Sequence, residues 1–233
     1  MIFVGIDDTD MIDTRGTNQL ARHLVRVIAP RYRCQRIVRH QLCADPSIPC
    51  TSKNGSASIW LEPIGEHDLN WLRETFIREM RADFIPGSDP GLCLAEHVPD
   101  EVIAFGQLAQ QQIVTQAQAR EIAKNAGLEL IGLGGTEGGV IGALAAVGLA
   151  ATANDGRVIH WQNWPDDLCG VVPVQAIRER EIIVRDADSC AEILAGLVEL
   201  GKHLRPNCRG GRVELIVTPA GDIEADWCAL KLT

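Results

Sequence analysis

Asp7, Asp8 and Asp10 fall within four residues, directly after the apolar run Ile2-Phe3-Val4-Gly5-Ile6. Side chains alternate faces along a strand, so Asp8 and Asp10 are expected to point together and Asp7 away. One or two carboxylates, completed by water and substrate phosphates, are how Mg²⁺ is usually held, which makes Asp8 and Asp10, with Asp7, candidate metal ligands. The same residue types also make ordinary caps and turns, and locally both uses are open. A second candidate is the glycine-rich stretch Gly132-Leu133-Gly134-Gly135-Thr136-Glu137-Gly138-Gly139-Val140-Ile141-Gly142. The backbone amides of Gly134, Gly135, Gly138 and Gly139 could cradle phosphate, or the glycines could serve close helix–strand packing. The stretch lacks the Gly-Lys-Ser/Thr ending of a P-loop, and Glu137 stands where a dinucleotide fingerprint requires glycine.

Two shorter features add to these. Lys53-Asn54-Gly55-Ser56 offers a cation and turn amides that would clamp phosphate if the loop folds over the acidic cluster. Thr14, Thr17 and Asn18 open a helix, where hydroxyls either cap backbone amides or face a γ-phosphate. Thr9, inside the acidic segment, joins the candidate nucleotide contacts, and Thr17 joins Asp7, Asp8 and Asp10 as a candidate catalytic residue. The six histidines show no metal-ligand spacing, and no Ser-His-Asp arrangement is readable.

The elements that must position these residues follow from periodicity. Ile2–Ile6 reads as a strand covered on both faces, and Leu20, Leu24, Val27 and Ile28 fall on one helical face that ends at Pro30. Arg36–Leu42 and Ser56–Leu61 read as strands, Asp68–Met80 as a helix and Leu92–Ala95 as a strand, giving a small β-α-β element over 56–98. Asp100–Gly127 predicts two helices or one bent helix, followed by a strand over Leu128–Leu133. The Ala- and Gly-rich run Val140–Ala151 is too short to span a bilayer and reads as a buried helix. Beyond it, strands are expected at Gly170–Ile177, Glu181–Val184, Val213–Thr218 and Trp227–Leu232, with a helix over Ser189–His203.

With 233 residues the chain can bury a full core without staples. A net charge of −9 disfavours nonspecific attraction to a nucleic-acid backbone. The eight cysteines contain no C-x-x-C pair, which argues against a zinc ribbon, and their apolar neighbours suggest core filling. The N-terminus lacks a signal-peptide pattern, so a cytoplasmic location is expected.

Taken in order, these stretches resemble the archaeal tRNA-Ile agmatinylcytidine synthetase family. Gly5–Asp10 matches that family's Gly-Ile-Asp-Asp-Thr-Asp-Ser motif up to the serine, where Met11 stands here. Pro46-Ser47-Ile48-Pro49, followed by Lys53 and Ala57, is similar to its Pro-Asn-Ile-Pro segment and basic loop, and Asp89-Pro90-Gly91 also fits. Gly138-Gly139-Val140-Ile141-Gly142-Ala143-Leu144-Ala145-Ala146-Val147-Gly148, with Asp155 soon after, is similar to the family's Gly-Leu-Ile-Gly-Ala-Leu-Ala-Ala-Ile-Gly. After Arg15-Gly16 the family has Met-Cys-Thr-Thr, including a threonine that becomes phosphorylated. Here Gln19 stands opposite that threonine and Thr17 is a nearby substitute.

The resemblance implies an α/β (α+β) fold in which a kinase-like ATP-binding region, 1–165, joins a ferredoxin-like region, 166–233. It implies ATP and Mg²⁺ as cofactors, with a cytosine carbonyl activated by phosphorylation before agmatine displaces the phosphate. The family continues into an OB-fold and a zinc ribbon that hold tRNA, beyond the stretch present here. The expectation is therefore a phosphoryl-transfer or ligase-type enzyme whose acceptor is a small molecule, with tRNA disfavoured for this chain alone. Two alternatives stand beside it: a nucleotide-binding regulatory module without turnover, and the catalytic subunit of a split tRNA-modifying synthetase.

Overall fold

The computed structural model describes residues 1–48, 50–51, 53–161, 167–221 and 224–232. Two compact units divide the chain, Met1–Thr152 and Ala153–Thr233, which places the division ahead of the expected 165/166 boundary.

The first unit runs β1 (Ile2–Asp7), α1 (Thr17–Ile28), β2 (Tyr32–Gln41), β3 (Gly55–Pro63), α2 (Leu69–Ala82), β4 (Gly91–Ala95), α3 (Asp100–Gln111), α4 (Gln116–Asn125), β5 (Glu129–Gly132) and α5 (Val140–Ala151). Its strands lie in the order β5-β4-β1-β3-β2, and every neighbouring pair is antiparallel. The β-α-β-β-α-β succession with β1 between β4 and β3 is the ferredoxin-like arrangement. It occupies residues 2–95, not the 166–233 region that the resemblance implied. The expected β-α-β element is β3-α2-β4, two strands that flank β1 and both run against it.

Central β1 is covered on both faces, as its apolar run predicts. Val4 and Ile6 are fully buried, and α1 and α2 cover their side through residues such as Leu20, Leu24, Leu72 and Phe76. The other face carries α5, which is buried nearly all round, its outer side covered by α3 and α4. The approach of β1 to α5 is so close that a Cβ on Gly5 would lie 1.9 Å from the Ala143 carbonyl oxygen. The stretch after Pro99 resolves into two helices. Gln112 leaves the helical conformation, and Thr115 caps α4 in a reciprocal box with Gln118.

The second unit contains β6 (Arg157–Trp161), β7 (Val171–Pro173), α6 (Val174–Arg178), β8 (Ile183–Asp186), β9 (Leu197–Glu199), β10 (Asn207–Arg209), β11 (Arg212–Pro219) and β12 (Trp227–Ala229). The strand path is β6-β10-β11-β12-β9-β7, with β8 parallel to β11. Among the described residues its one helix is α6, five residues long, so 166–233 does not carry the two helices of a ferredoxin-like unit. The expected helix over Ser189–His203 does not form. The Asp186 carboxylate accepts the Ser189 hydroxyl at 2.5 Å, Cys190 has a left-handed φ of 57°, and the Asp226 carboxylate takes the Leu197 amide at 2.8 Å. Side-chain acceptors that satisfy the backbone locally compete with a helix. The strand expected over Gly170–Ile177 stops at Pro173, which begins α6.

Cys34, Cys93 and Cys208 are buried, but Cys50, Cys169 and Cys190 are exposed, so core filling describes only part of the set. The three exposed thiols lie outside the helices and strands. Among the described residues no helix is long and apolar enough to cross a membrane.

Candidate functional site

One end of the first unit's sheet gathers the candidate residues around a cavity of about 320 Å³. The carboxyl end of β1 brings Asp7, Asp8 and Asp10, the start of α1 brings Thr17, and the β2–β3 loop brings Thr51, Lys53 and Asn54. Because β4 runs against β1, Asp89, two residues before β4, arrives at the same end. Thr136, Gly138 and Gly142 come from the glycine-rich loop and the first turn of α5. The N-termini of α1 and α5 thus open at a cavity lined by Asp7, Asp8 and Asp10 from the end of β1 and by Asp89, an arrangement in which helix dipoles and the hard oxygens of the β1-end carboxylates suit one polyanionic ligand with its cation. Leu42, Ile48, Ala109, Ile113, Val114 and Ile141 make an apolar wall beside this polar half.

The strand alternation that predicts Asp7 turned away fails at the end of β1. Asp8 has a left-handed φ of 50°, so the pleat ends at Asp7 and all three aspartates line the cavity. Asp7 tucks against α5 in the space that a side chain at residue 142 would fill, since a Cβ on Gly142 would lie 1.8 Å from Asp7 Oδ2. Burial, and then the Asp8 and Asp10 charges, raise the Asp7 carboxyl to about 7, while the Asp8 amide and Arg39 oppose the rise. Asp8 is also raised, first by desolvation and then by Asp89 and Asp10, with the Asp89 backbone amide pulling the other way. Asp10 is held differently. Its Oδ1 accepts the Thr17 hydroxyl at 3.0 Å and its Oδ2 accepts that of Thr51 at 3.4 Å.

The remaining candidates divide. Thr17 faces the cavity, whereas Gln19 lines a separate groove with Arg15, Leu20 and His23. Thr9 is 1% exposed and outside the cavity lining; its hydroxyl donates to Thr17 Oγ1 at 3.1 Å, and its carbonyl accepts from Arg15 Nη1 at 2.9 Å. Thr9 therefore supports Thr17 from behind. Asn54 lines the cavity, but its amide donates to the Cys43 carbonyl at 2.9 Å and pins the loop. Lys53 is exposed on the lining with no ion pair among the described residues.

The glycine-rich loop departs most from expectation. Asp89 fills it: Oδ1 accepts the Thr136 amide at 2.6 Å and Oδ2 the Thr136 hydroxyl at 2.5 Å. Gly135, at φ 59°, passes so near that a Cβ there would meet Asp89 Oδ1 at 1.8 Å. Gly134 packs under the Phe84 ring, and the Gly139 amide donates to the Asp89 carbonyl at 2.8 Å. Of the four glycines expected to cradle phosphate only Gly138 lines the cavity. Asp89 enters the sequence reading only through the Asp89-Pro90-Gly91 segment, and its pairing with Thr136, 47 positions away, is what reveals its place in the loop.

Among the described residues no group of three His, Cys, Asp or Glu side chains forms a ready metal cage. The donor set nonetheless fits Mg²⁺, which commonly takes one or two carboxylates and completes its shell with water and phosphate oxygens. Asp7 and Asp8 lie together with their negative charge poorly compensated, the condition that a hard cation relieves.

No family model matches the chain. It is 29% identical over 153 residues to the tRNA(Ile2) 2-agmatinylcytidine synthetase TiaS of Pyrococcus horikoshii, covering 64% of this chain and 35% of that protein. Among solved structures it is similar to TiaS in complex with tRNA(Ile2) and ATP, with TM-score 0.55, 23% identity and coverage of 63% and 36% of the two chains. It is also similar to TiaS in complex with tRNA(Ile2), AMPCPP and agmatine, with TM-score 0.53, 23% identity and coverage of 63% and 35%. The chain spans about a third of the length of these relatives. The resemblance drawn from the sequence is borne out, and the mixed α/β fold is shared with TiaS.

Proposed function

We propose that this cavity binds ATP with Mg²⁺ and that the chain is an ATP-dependent phosphoryl-transfer or ligase-type enzyme related to TiaS. The observation that carries the reading is the meeting of Asp7, Asp8 and Asp10 with the openings of α1 and α5 around one cavity. Similarity to a protein solved with ATP adds to it.

In this reading Asp8, Asp7 and Asp10 would hold the cation. Bound there, Mg²⁺ would neutralise phosphate charge and polarise the transferred phosphoryl group. The chain's own work is electrostatic and positional. The Gly138 amide and the positive end of the α5 dipole would face phosphate, and Lys53 adds a cation from the facing loop. Asp10 orients the Thr17 hydroxyl through the 3.0 Å bond and can accept its proton, which makes Thr17 the hydroxyl best placed to meet a phosphoryl group. The acceptor would be a small heterocyclic or carboxylate metabolite, activated by phosphorylation and then open to attack by an amine, and the apolar wall suits the face of a heterocycle.

Calorimetry with Mg·ATP, paired with a search for ADP or AMP across a metabolite panel, tests the proposal. Asp8→Asn should lose most affinity and any turnover, and an Asp8→Asn protein that binds and turns over ATP like the wild type would sink it. A second reading, a nucleotide-binding regulatory module, draws on the internal occupation of the Thr136 amide and hydroxyl, which leaves fewer donors for a reacting phosphate. Tight Mg·ATP binding with no product in any mixture would favour that reading.

A further inference from the structure

We propose that Asp89 is a positioning residue, the clamp that fixes the glycine-rich loop against the acidic end of β1. The inference rests on the nucleotide reading above and adds a residue to which neither the motif reading nor the similarity to TiaS gives a role.

Asp89 uses nearly every polar atom it has for this purpose. Its carboxylate takes both the amide and the hydroxyl of Thr136, at 2.6 and 2.5 Å, and its carbonyl takes the Gly139 amide at 2.8 Å. The carboxylate lies beside Gly135 and Gly138, where Cβ atoms would fall 1.8 and 3.4 Å from its two oxygens. The left-handed φ values of Gly135 and Glu137, 59° and 61°, shape the loop around it. On the other side the Asp89 backbone amide acts on the Asp8 carboxylate. One residue therefore sits between a candidate cation ligand and the loop that brings Thr136 and Gly138 to the cavity. Three hydrogen bonds from Thr136 and Gly139 converge on this one residue, so the clamp should set the loop's geometry and not merely decorate it.

An amide side chain can keep this geometry, because Asn Oδ1 accepts the Thr136 amide and Asn Nδ2 donates to the Thr136 hydroxyl. A metal ligand has no such freedom, since the charge is lost. The experiment compares the full-length wild type, Asp89→Ala, Asp89→Asn and Thr136→Ala. Affinity for Mg²⁺ with a non-hydrolysable ATP analogue is measured by calorimetry well below each melting midpoint, and amide hydrogen exchange is followed over residues 132–139. Asp89→Ala should bind about tenfold more weakly or worse while still folded, with faster exchange in the loop, and Asp89→Asn should stay within about threefold of wild type. Thr136→Ala should fall between them. Two results overturn the proposal: Asp89→Asn failing as badly as Asp89→Ala, which would make Asp89 a charge-bearing ligand, or Asp89→Ala binding like wild type. If the wild type binds no nucleotide, the reading of the cavity falls, and exchange alone decides the clamp: protection that survives Asp89→Asn and disappears in Asp89→Ala sustains it, and equal exchange in all proteins refutes it.

Discussion

The acidic end of β1 and the glycine-rich loop face each other across one cavity, yet they treat their polar groups in opposite ways. At the end of β1, Asp7 and Asp8 are brought together with little to offset their charge, and their carboxyls are raised for that reason. In the loop the polar groups are largely satisfied from within, by Asp89, by an ion pair between Arg120 and Glu137, and by the Gln116 amide on the Thr136 carbonyl at 3.0 Å. The first region spends stability on a poised charge and the second uses its hydrogen bonds to hold a shape. Uncompensated carboxylates favour a cation as their partner, and satisfied groups hold a fixed frame.

If this contrast is right, substitutions in the two regions should move stability in opposite directions. The largest effect is expected at Gly135. Alanine there meets the Asp89 carboxylate in a left-handed backbone position, so Gly135→Ala should cost about 3 kcal/mol in denaturant unfolding. An unchanged midpoint would break the comparison.

Asp7→Asn should act the other way. Because the folded-state carboxyl is raised from 3.8 to about 7, the folded protein holds a proton that the unfolded chain has lost. The stability contributed by Asp7 is thus complete below about pH 4 and disappears as the pH rises through about 7. In metal-free buffer Asp7→Asn should match the wild type near pH 4 and exceed it by about 2 kcal/mol at pH 8, allowing for solvent around a partly exposed group. A gap that closes with rising pH would contradict the assignment, and Mg²⁺ with ATP should narrow the gap by stabilising only the wild type.

Thr136→Ala removes the hydroxyl from Asp89 but leaves the backbone amide in place, and a loss of about 1 kcal/mol is expected, recovered by Thr136→Ser. The smallest effect belongs to Lys53→Ala. An exposed lysine with no ion pair among the described residues should leave the unfolding free energy within about 0.5 kcal/mol of wild type. Its contribution should emerge only as weaker, salt-sensitive nucleotide binding, and a salt-independent loss would argue against contact with phosphate.

The two regions also differed in how far they could be read from sequence. The β1 end was legible because its chemistry is local, three carboxylates within four residues after an apolar run, although the pleat rule misplaced Asp7 for want of the turn at Asp8. The loop was legible as glycine-rich but not as to what fills it, since Asp89 meets Thr136 only through the pairing of β4 with β1 and the packing of α5. Thr9 shows the converse, a residue of promising type inside a motif whose hydroxyl turns inward to Thr17. The helix expected over Ser189–His203 failed for a related reason. Asp186 and Asp226 supply hydrogen bonds that no periodicity reveals, and β9 finds its partners in β7 and β12, distant in the chain. The buried α5 and central β1 were read correctly because hydrophobic composition alone settles burial.

The contact of Gly5 with the Ala143 carbonyl carries a consequence for mutational tolerance. Neither residue brings a side chain that could bind a ligand or move a proton, but the contact sets how far apart the acidic end of β1 and the opening of α5 can be. A saturation screen should therefore find Gly5 as intolerant as the aspartates beside it. The two classes separate on repair: second-site changes that shrink or shift α5 can rescue a Gly5 variant, whereas nothing in the neighbourhood can substitute for a lost carboxylate.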